Sequence, residues 1–156
     1  MKRFSRDGVK IKSPAQIDAM KAAGHLSAQA LEVVGSLMRP GVSTAELDAA
    51  AEKCIVEAGG TPAFKGYGGF PATICASVND MVVHGIPSPD VILEDGDVVS
   101  IDTGAIVDGW VGDNAETFTL RRLRLCGRAL TRRFPEIIWV MSDMRYRRSS
   151  KMPAST

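Results

Sequence analysis

The dipeptide Asp108-Gly109 constrains the fold of this chain more than any other feature. It stands between two strand-like segments, residues 97–107 and 110–120. An Asp-Gly pair in that setting signals a two-residue hairpin, because both residues tolerate the positive φ such a turn requires. With Asp108 and Gly109 as the turn, Val107 faces Trp110, Asp102 faces Ala115 and Asp113 faces Gly104. Side chains alternate between faces along a strand, so Asp102 and Asp113 point the same way. As diagonal neighbours their backbones lie roughly 7–8 Å apart, and the carboxylates can converge on one site.

Two carboxylates on one sheet face repel each other unless something positive sits between them. Asp102 follows the apolar run Val98-Val99-Ser100-Ile101, which indicates a buried strand. A buried, unpaired carboxylate is costly. One or two divalent cations would relieve both problems, and carboxylates suit hard cations. The alternative is that one aspartate caps a turn and the other faces solvent, the commoner fate of Asp at strand ends.

Upstream of the strands the pattern is helical. Ser13-Pro14 supplies an N-cap and a first-turn proline. Ile17, Met20, Gly24, Leu31 and Val34 then recur at helical spacing up to the stop at Pro40-Gly41. Ser43-Thr44-Ala45-Glu46 has the capping-box form for a second helix. Its buried stripe is expected at Leu47, Ala51, Cys54, Ile55 and Ala58, and Gly59-Gly60 ends it. A short strand is expected over residues 72–78, followed by a long loop over 79–95 with prolines at 87 and 89. Two helices followed by antiparallel strands make an α+β domain.

The loops carry the remaining candidates. Phe64, Tyr67 and Phe70 lie in a glycine-rich stretch just before Cys75. These four residues could line an apolar pocket, although on the residues alone ordinary core packing is the favoured reading. Cys75 has no activating base nearby in sequence and reads as an inert buried thiol. His84 is either a loop histidine with a satisfied hydrogen bond or a donor to a substrate carbonyl near the aspartates. His25, in the middle of the first helix, reads as structural or exposed.

Composition narrows the class. A length of 156 residues with 45% apolar and 24% charged residues fits one domain with a real core. No apolar run approaches ~18 residues, so no membrane span is expected. The charged start Met1-Lys2-Arg3 is not followed by an apolar stretch, which argues against a secretory signal. Three cysteines, Cys54, Cys75 and Cys126, lack metal-ligand spacing and suit a reduced, cytoplasmic protein.

The net charge of +1 hides an asymmetry. Residues 1–120 carry 9 Lys and Arg against 16 Asp and Glu, whereas residues 121–156 carry 10 against 2. Nine of those last 36 residues are arginine, without helical or strand period.

The motifs in order are Gly66-Tyr67-Gly68-Gly69-Phe70-Pro71, Ser77-Val78-Asn79-Asp80-Met81-Val82-Val83-His84-Gly85-Ile86-Pro87, Asp95-Gly96-Asp97-Val98-Val99-Ser100-Ile101-Asp102 and Asp108-Gly109-Trp110-Val111-Gly112-Asp113. His84 precedes Asp102 by 18 residues, and Asp102 precedes Asp113 by 11. In this order and spacing the chain resembles the first half of the type I methionine aminopeptidase family. The resemblance also covers Ile17-Asp18-Ala19-Met20 and Met38-Arg39-Pro40-Gly41-Val42-Ser43-Thr44. It implies the first half of a pita-bread, creatinase/aminopeptidase-like fold, whose two halves enclose two divalent metal ions of unspecified identity (Co, Mn, Fe, Zn or similar). Asp102 and Asp113 resemble the family's metal-binding aspartates and His84 its catalytic, substrate-contacting histidine. Phe64, Tyr67, Phe70 and Cys75 fall where the family lines its methionine pocket. The implied reaction is metal-dependent removal of the N-terminal methionine from nascent proteins or peptides. The implied setting is a cytoplasmic monomer, with ribosome association as a further partner.

The resemblance further implies three more metal ligands, a histidine and two glutamates, and a second catalytic histidine, all in a second half. After Leu120 there is no histidine and only one glutamate, Glu136. Residues 1–120 are therefore expected to form the family-like half, and 121–156 a basic, non-matching tail of the kind a frame shift produces. The dinuclear centre is then incomplete and this chain inactive, with apolar surface exposed that a second half would cover. The alternative is a non-catalytic fragment whose basic tail binds RNA or the ribosome.

Overall fold

A computed structural model describes residues 3–4, 8, 10–120, 124–125 and 128–129. Strands β1 (Arg3–Phe4) and β2 (Lys10–Ile11) pair antiparallel ahead of helix α1 (Pro14–Leu37). Ser13 caps α1 by accepting from the Gln16 amide, and the Gln16 side chain accepts from the Ser13 amide in return. Helix α2 (Thr44–Glu57) starts with the expected reciprocal pair, Ser43 and Glu46. Strand β3 (Thr61–Pro62) and a 3-10 turn (Tyr67–Gly69) lead to β4 (Ile74–Val78), then to β5 (Val98–Val107) and β6 (Trp110–Thr119). Beyond the hairpin, β7 (Arg124–Leu125) pairs with β8 (Arg128–Ala129). The rest of the 121–156 tail, including Glu136 and Cys126, lies outside the described residues.

The hairpin forms in the register read from Asp108-Gly109. Val107 pairs with Trp110, Asp102 with Ala115 and Gly104 with Asp113. Both turn residues have positive φ, 50° at Asp108 and 77° at Gly109. On its other side β5 pairs antiparallel with β4 and, further along, with β3. Strand β5 is therefore central, and the expected strands shrink by a residue or two at their ends.

One sheet face packs against the helices. Val99, Ile101 and Ala105 of β5 and Ile74 and Ala76 of β4 meet Leu26, Ala30 and Val34 of α1 and Leu47, Ala51 and Ile55 of α2. Helix α1 lies mainly across β6 and β5. Its approach is close: a Cβ on Gly112 would sit 2.3 Å from the Ala23 carbonyl. The buried stripe of α1 is Ala23, Leu26, Ser27, Ala30, Leu31 and Val34, whereas Ile17 and Met20 of the expected stripe are only half-buried. In α2, Leu47, Ala51 and Ile55 are buried as expected, but Ala58 is exposed and Cys54 only half-buried. Asp102 and Asp113 stand on the sheet face turned away from the helices.

Candidate metal and substrate site

Strand β5 places Asp102 between two neighbours: Cys75 of β4 on one side and Ala115 of β6 on the other. Asp113 is the diagonal neighbour, and its carboxyl group lies close enough to that of Asp102 for each to affect the other's ionisation. Burial, first, and then the Asp113 charge push Asp102 up to about 6. Asp113 is also raised, by burial. Burial and mutual repulsion thus make ionising both carboxyl groups together costly. His84 lies close enough to Asp102 that its charge acts in the opposite sense, favouring the carboxylate.

The apolar candidates divide. Phe64 lies in the site: a Cβ on Gly104, the residue directly opposite Asp113, would come within 2.8 Å of the Phe64 ring. Cys75 is 6% exposed. Burial and then the charges of Asp102, Asp113 and Asp48 push its thiol up to about 11, so it stays protonated and is no thiolate ligand. Phe70 closes the 3-10 turn and is half-buried, but Tyr67 on that turn is 82% exposed. His84 is exposed on the 79–97 connection with a positive φ of 57°, and its neighbours Met81, Val82, Val83 and Ile86 are exposed as well. His25 is exposed on α1, remote in role from this face.

Three supporting residues escaped the sequence reading. Asp48 of α2 accepts the backbone amides of Thr73 and Ile74, at 2.8 and 2.9 Å, and so fixes the start of β4 beside Cys75. Asn79, at φ 55°, clasps the end of β4 to β5: its side chain accepts from Val98 and donates to Asp97, both at 3.0 Å. Ser77 accepts the Gly85 amide. Only the left-handed preference of Asn had a sequence signal. The other two contacts depend on which loop returns to which strand.

The donor set fits a divalent cation in part. Two hard oxygen donors converge, and a cation there would offset the repulsion between the two carboxylates. Among the described residues no group of three or more His, Cys, Asp or Glu is gathered to hold a metal alone. Asp102 and Asp113 alone are thus a pair of oxygen donors and not a full ligand set.

Residues 18–129 match metallopeptidase family M24, and the chain belongs to that family. Within the family the likeness is to methionine aminopeptidases. The chain is 51% identical over 120 residues to methionine aminopeptidase 1 of Mycobacterium tuberculosis, covering 77% of this chain and 45% of that protein. It is 39% identical over 137 residues to the Escherichia coli K12 methionine aminopeptidase, covering 87% of this chain and 52% of that one. The crystal structure of the Thermotoga maritima methionine aminopeptidase superposes with a TM-score of 0.69 at 37% identity, covering 78% of this chain and 46% of that chain. A Bacillus anthracis Xaa-Pro dipeptidase shares the fold at a TM-score of 0.58 and 28% identity, over 69% of this chain and 29% of that one. The chain spans about half the length of the curated relatives it matches. Its fold is half of a pita-bread.

Proposed function

We propose that this chain carries the two-aspartate part of a divalent-metal centre for removing the N-terminal methionine from proteins, and that the centre is incomplete within these residues. The observation that carries this reading is the hairpin register, which sets Asp102 and Asp113 as diagonal neighbours on the sheet face turned away from the helices. Asp102 and Asp113 would hold the metal ions. When bound, those ions would polarise the scissile carbonyl and activate water. His84 would donate to the substrate backbone, and Phe64, Tyr67, Phe70 and Cys75 would surround the methionine side chain. A neutral thiol at Cys75 suits that apolar role. The substrates would be cytoplasmic nascent proteins or peptides beginning with methionine, met by a monomer at or near the ribosome. The division at residue 120 into a family-like half and a basic tail belongs to the same proposal.

The test is release of methionine from a Met-Ala-Ser peptide with added Mn²⁺ or Co²⁺. The expected result is no release above the metal-only blank. Chelator-sensitive release that disappears in Asp102→Asn would uphold the chemistry but overturn the incompleteness. Chelator-insensitive release by both proteins would sink the metal reading.

A further inference from the structure

Next to His84, Gly85 fastens the connection to β4. Gly85 is buried on a connection whose neighbours on either side are exposed. Its carbonyl accepts the Ala76 amide at 2.8 Å, and its own amide donates to the Ser77 hydroxyl at 3.2 Å. It has no room for a side chain, since a Cβ would fall 2.1 Å from the Ala76 carbonyl oxygen. His84, immediately before it, holds a left-handed backbone that a residue with a Cβ adopts only under constraint. Ser77 is itself buried, on the strand face that also carries Cys75, and Cys75 stands opposite Asp102.

We infer that Ser77 is a positioning residue: its hydroxyl fixes the His84–Gly85 peptide and thereby aims the imidazole at the aspartate pair. The role of the imidazole rests on the aminopeptidase reading above, whereas the backbone constraint does not. Without the hydroxyl, the Gly85 amide is a buried donor with no acceptor. The segment then relieves both this loss and the strain at His84 by lifting off β4.

The experiment is NMR on the full chain, comparing wild type with Ser77→Ala, with the near-isosteric Ser77→Cys as a second removal and Ser77→Thr as the rescue. In the metal-free removal variants, the Gly85 amide should exchange about tenfold faster or more. The His84 coupling constant should lose its left-handed signature, while exchange along β5 and β6 stays unchanged. Ser77→Thr should restore both signals. Unchanged Gly85 exchange and His84 coupling would overturn the inference, as would a loss of protection spread evenly over β5 and β6. Added Mn²⁺ separates the two readings. Wild type should show paramagnetic broadening at Gly104 and His84, and Ser77→Ala should keep it at Gly104 and lose it at His84. Equal broadening in both proteins would overturn the aiming role. No broadening in wild type would refute the metal reading, leaving Ser77 to be judged on the metal-free spectra.

Discussion

The β5–β6 hairpin and the 79–97 connection serve the same face of the sheet by different means. In the hairpin, ten paired positions and a two-residue turn fix where Asp102 and Asp113 stand. In the connection, His84 is held by contacts of one glycine with β4 and by a backbone conformation the residue would not choose alone. A ladder distributes its constraint over many bonds, so no single change moves the aspartates. The connection concentrates its constraint in a few atoms, so small changes should move His84 without unfolding anything. A histidine held by few bonds and carboxylates held by a long ladder form an arrangement that suits a substrate donor and a metal cradle respectively.

The sharpest way to break this comparison is a pair of glycine substitutions. Gly112→Ala puts a Cβ 2.3 Å from the backbone of Ala23, and Gly85→Ala puts one 2.1 Å from that of Ala76. The steric conflict is similar, but α1 and β6 are locked into the core while the mostly exposed His84 segment is held to β4 by few bonds. Gly112→Ala is expected to cost about 3 kcal/mol or more of global stability. Gly85→Ala should cost clearly less and show its effect as faster amide exchange over residues 81–86. Urea denaturation of both variants checks this, and equal losses would break the distinction.

Asp48→Ala removes the acceptor for two backbone amides at the start of β4, with an expected cost of about 1–3 kcal/mol. Asp48→Asn keeps an acceptor oxygen and should lose less, again by urea denaturation.

Asp102→Asn should act in the opposite direction. A carboxyl raised on folding favours the folded state fully below its ordinary value of 3.8, and that contribution is lost as pH rises through about 6. At pH 7 the metal-free pair therefore opposes folding, and Asp102→Asn should stabilise the chain by about 1–2 kcal/mol, discounted for the solvent that reaches the pair. The gain should vanish below pH 4, and thermal melts at the two pH values would reveal a gain that fails to vanish.

The smallest effect belongs to Ser100→Ala. It removes the exposed 2.9 Å hydrogen bond to Thr117 across the hairpin, and the cost should stay below about 0.5 kcal/mol in the same denaturation series.

What the sequence reveals follows the same division. Asp108-Gly109 sets a register, and a register fixes every facing pair, so the convergence of Asp102 and Asp113 can be read without coordinates. The capping signals of both helices are equally local, including the Ser13–Gln16 reciprocal pair that the Ser-Pro-Ala-Gln run contained. The buried stripe of α1 was harder to read because the contact with the β5–β6 hairpin is made through Ala23, Ser27 and Gly112, small residues that carry little hydrophobic signal but permit close approach. The clamps by Asp48 and Ser77 were illegible, since each joins a side chain to backbone groups of another segment and leaves no periodic trace.

The central claim is that Asp102 and Asp113 act together as a metal cradle. The most direct test is a titration of the full chain with Mn²⁺ at pH 7, followed by electron paramagnetic resonance, beside Asp102→Asn and Asp113→Asn. Bound Mn²⁺ in the wild-type chain, lost in both variants, is the result expected of a shared site. Equal binding by all three proteins would show that the two carboxylates meet for structural reasons alone.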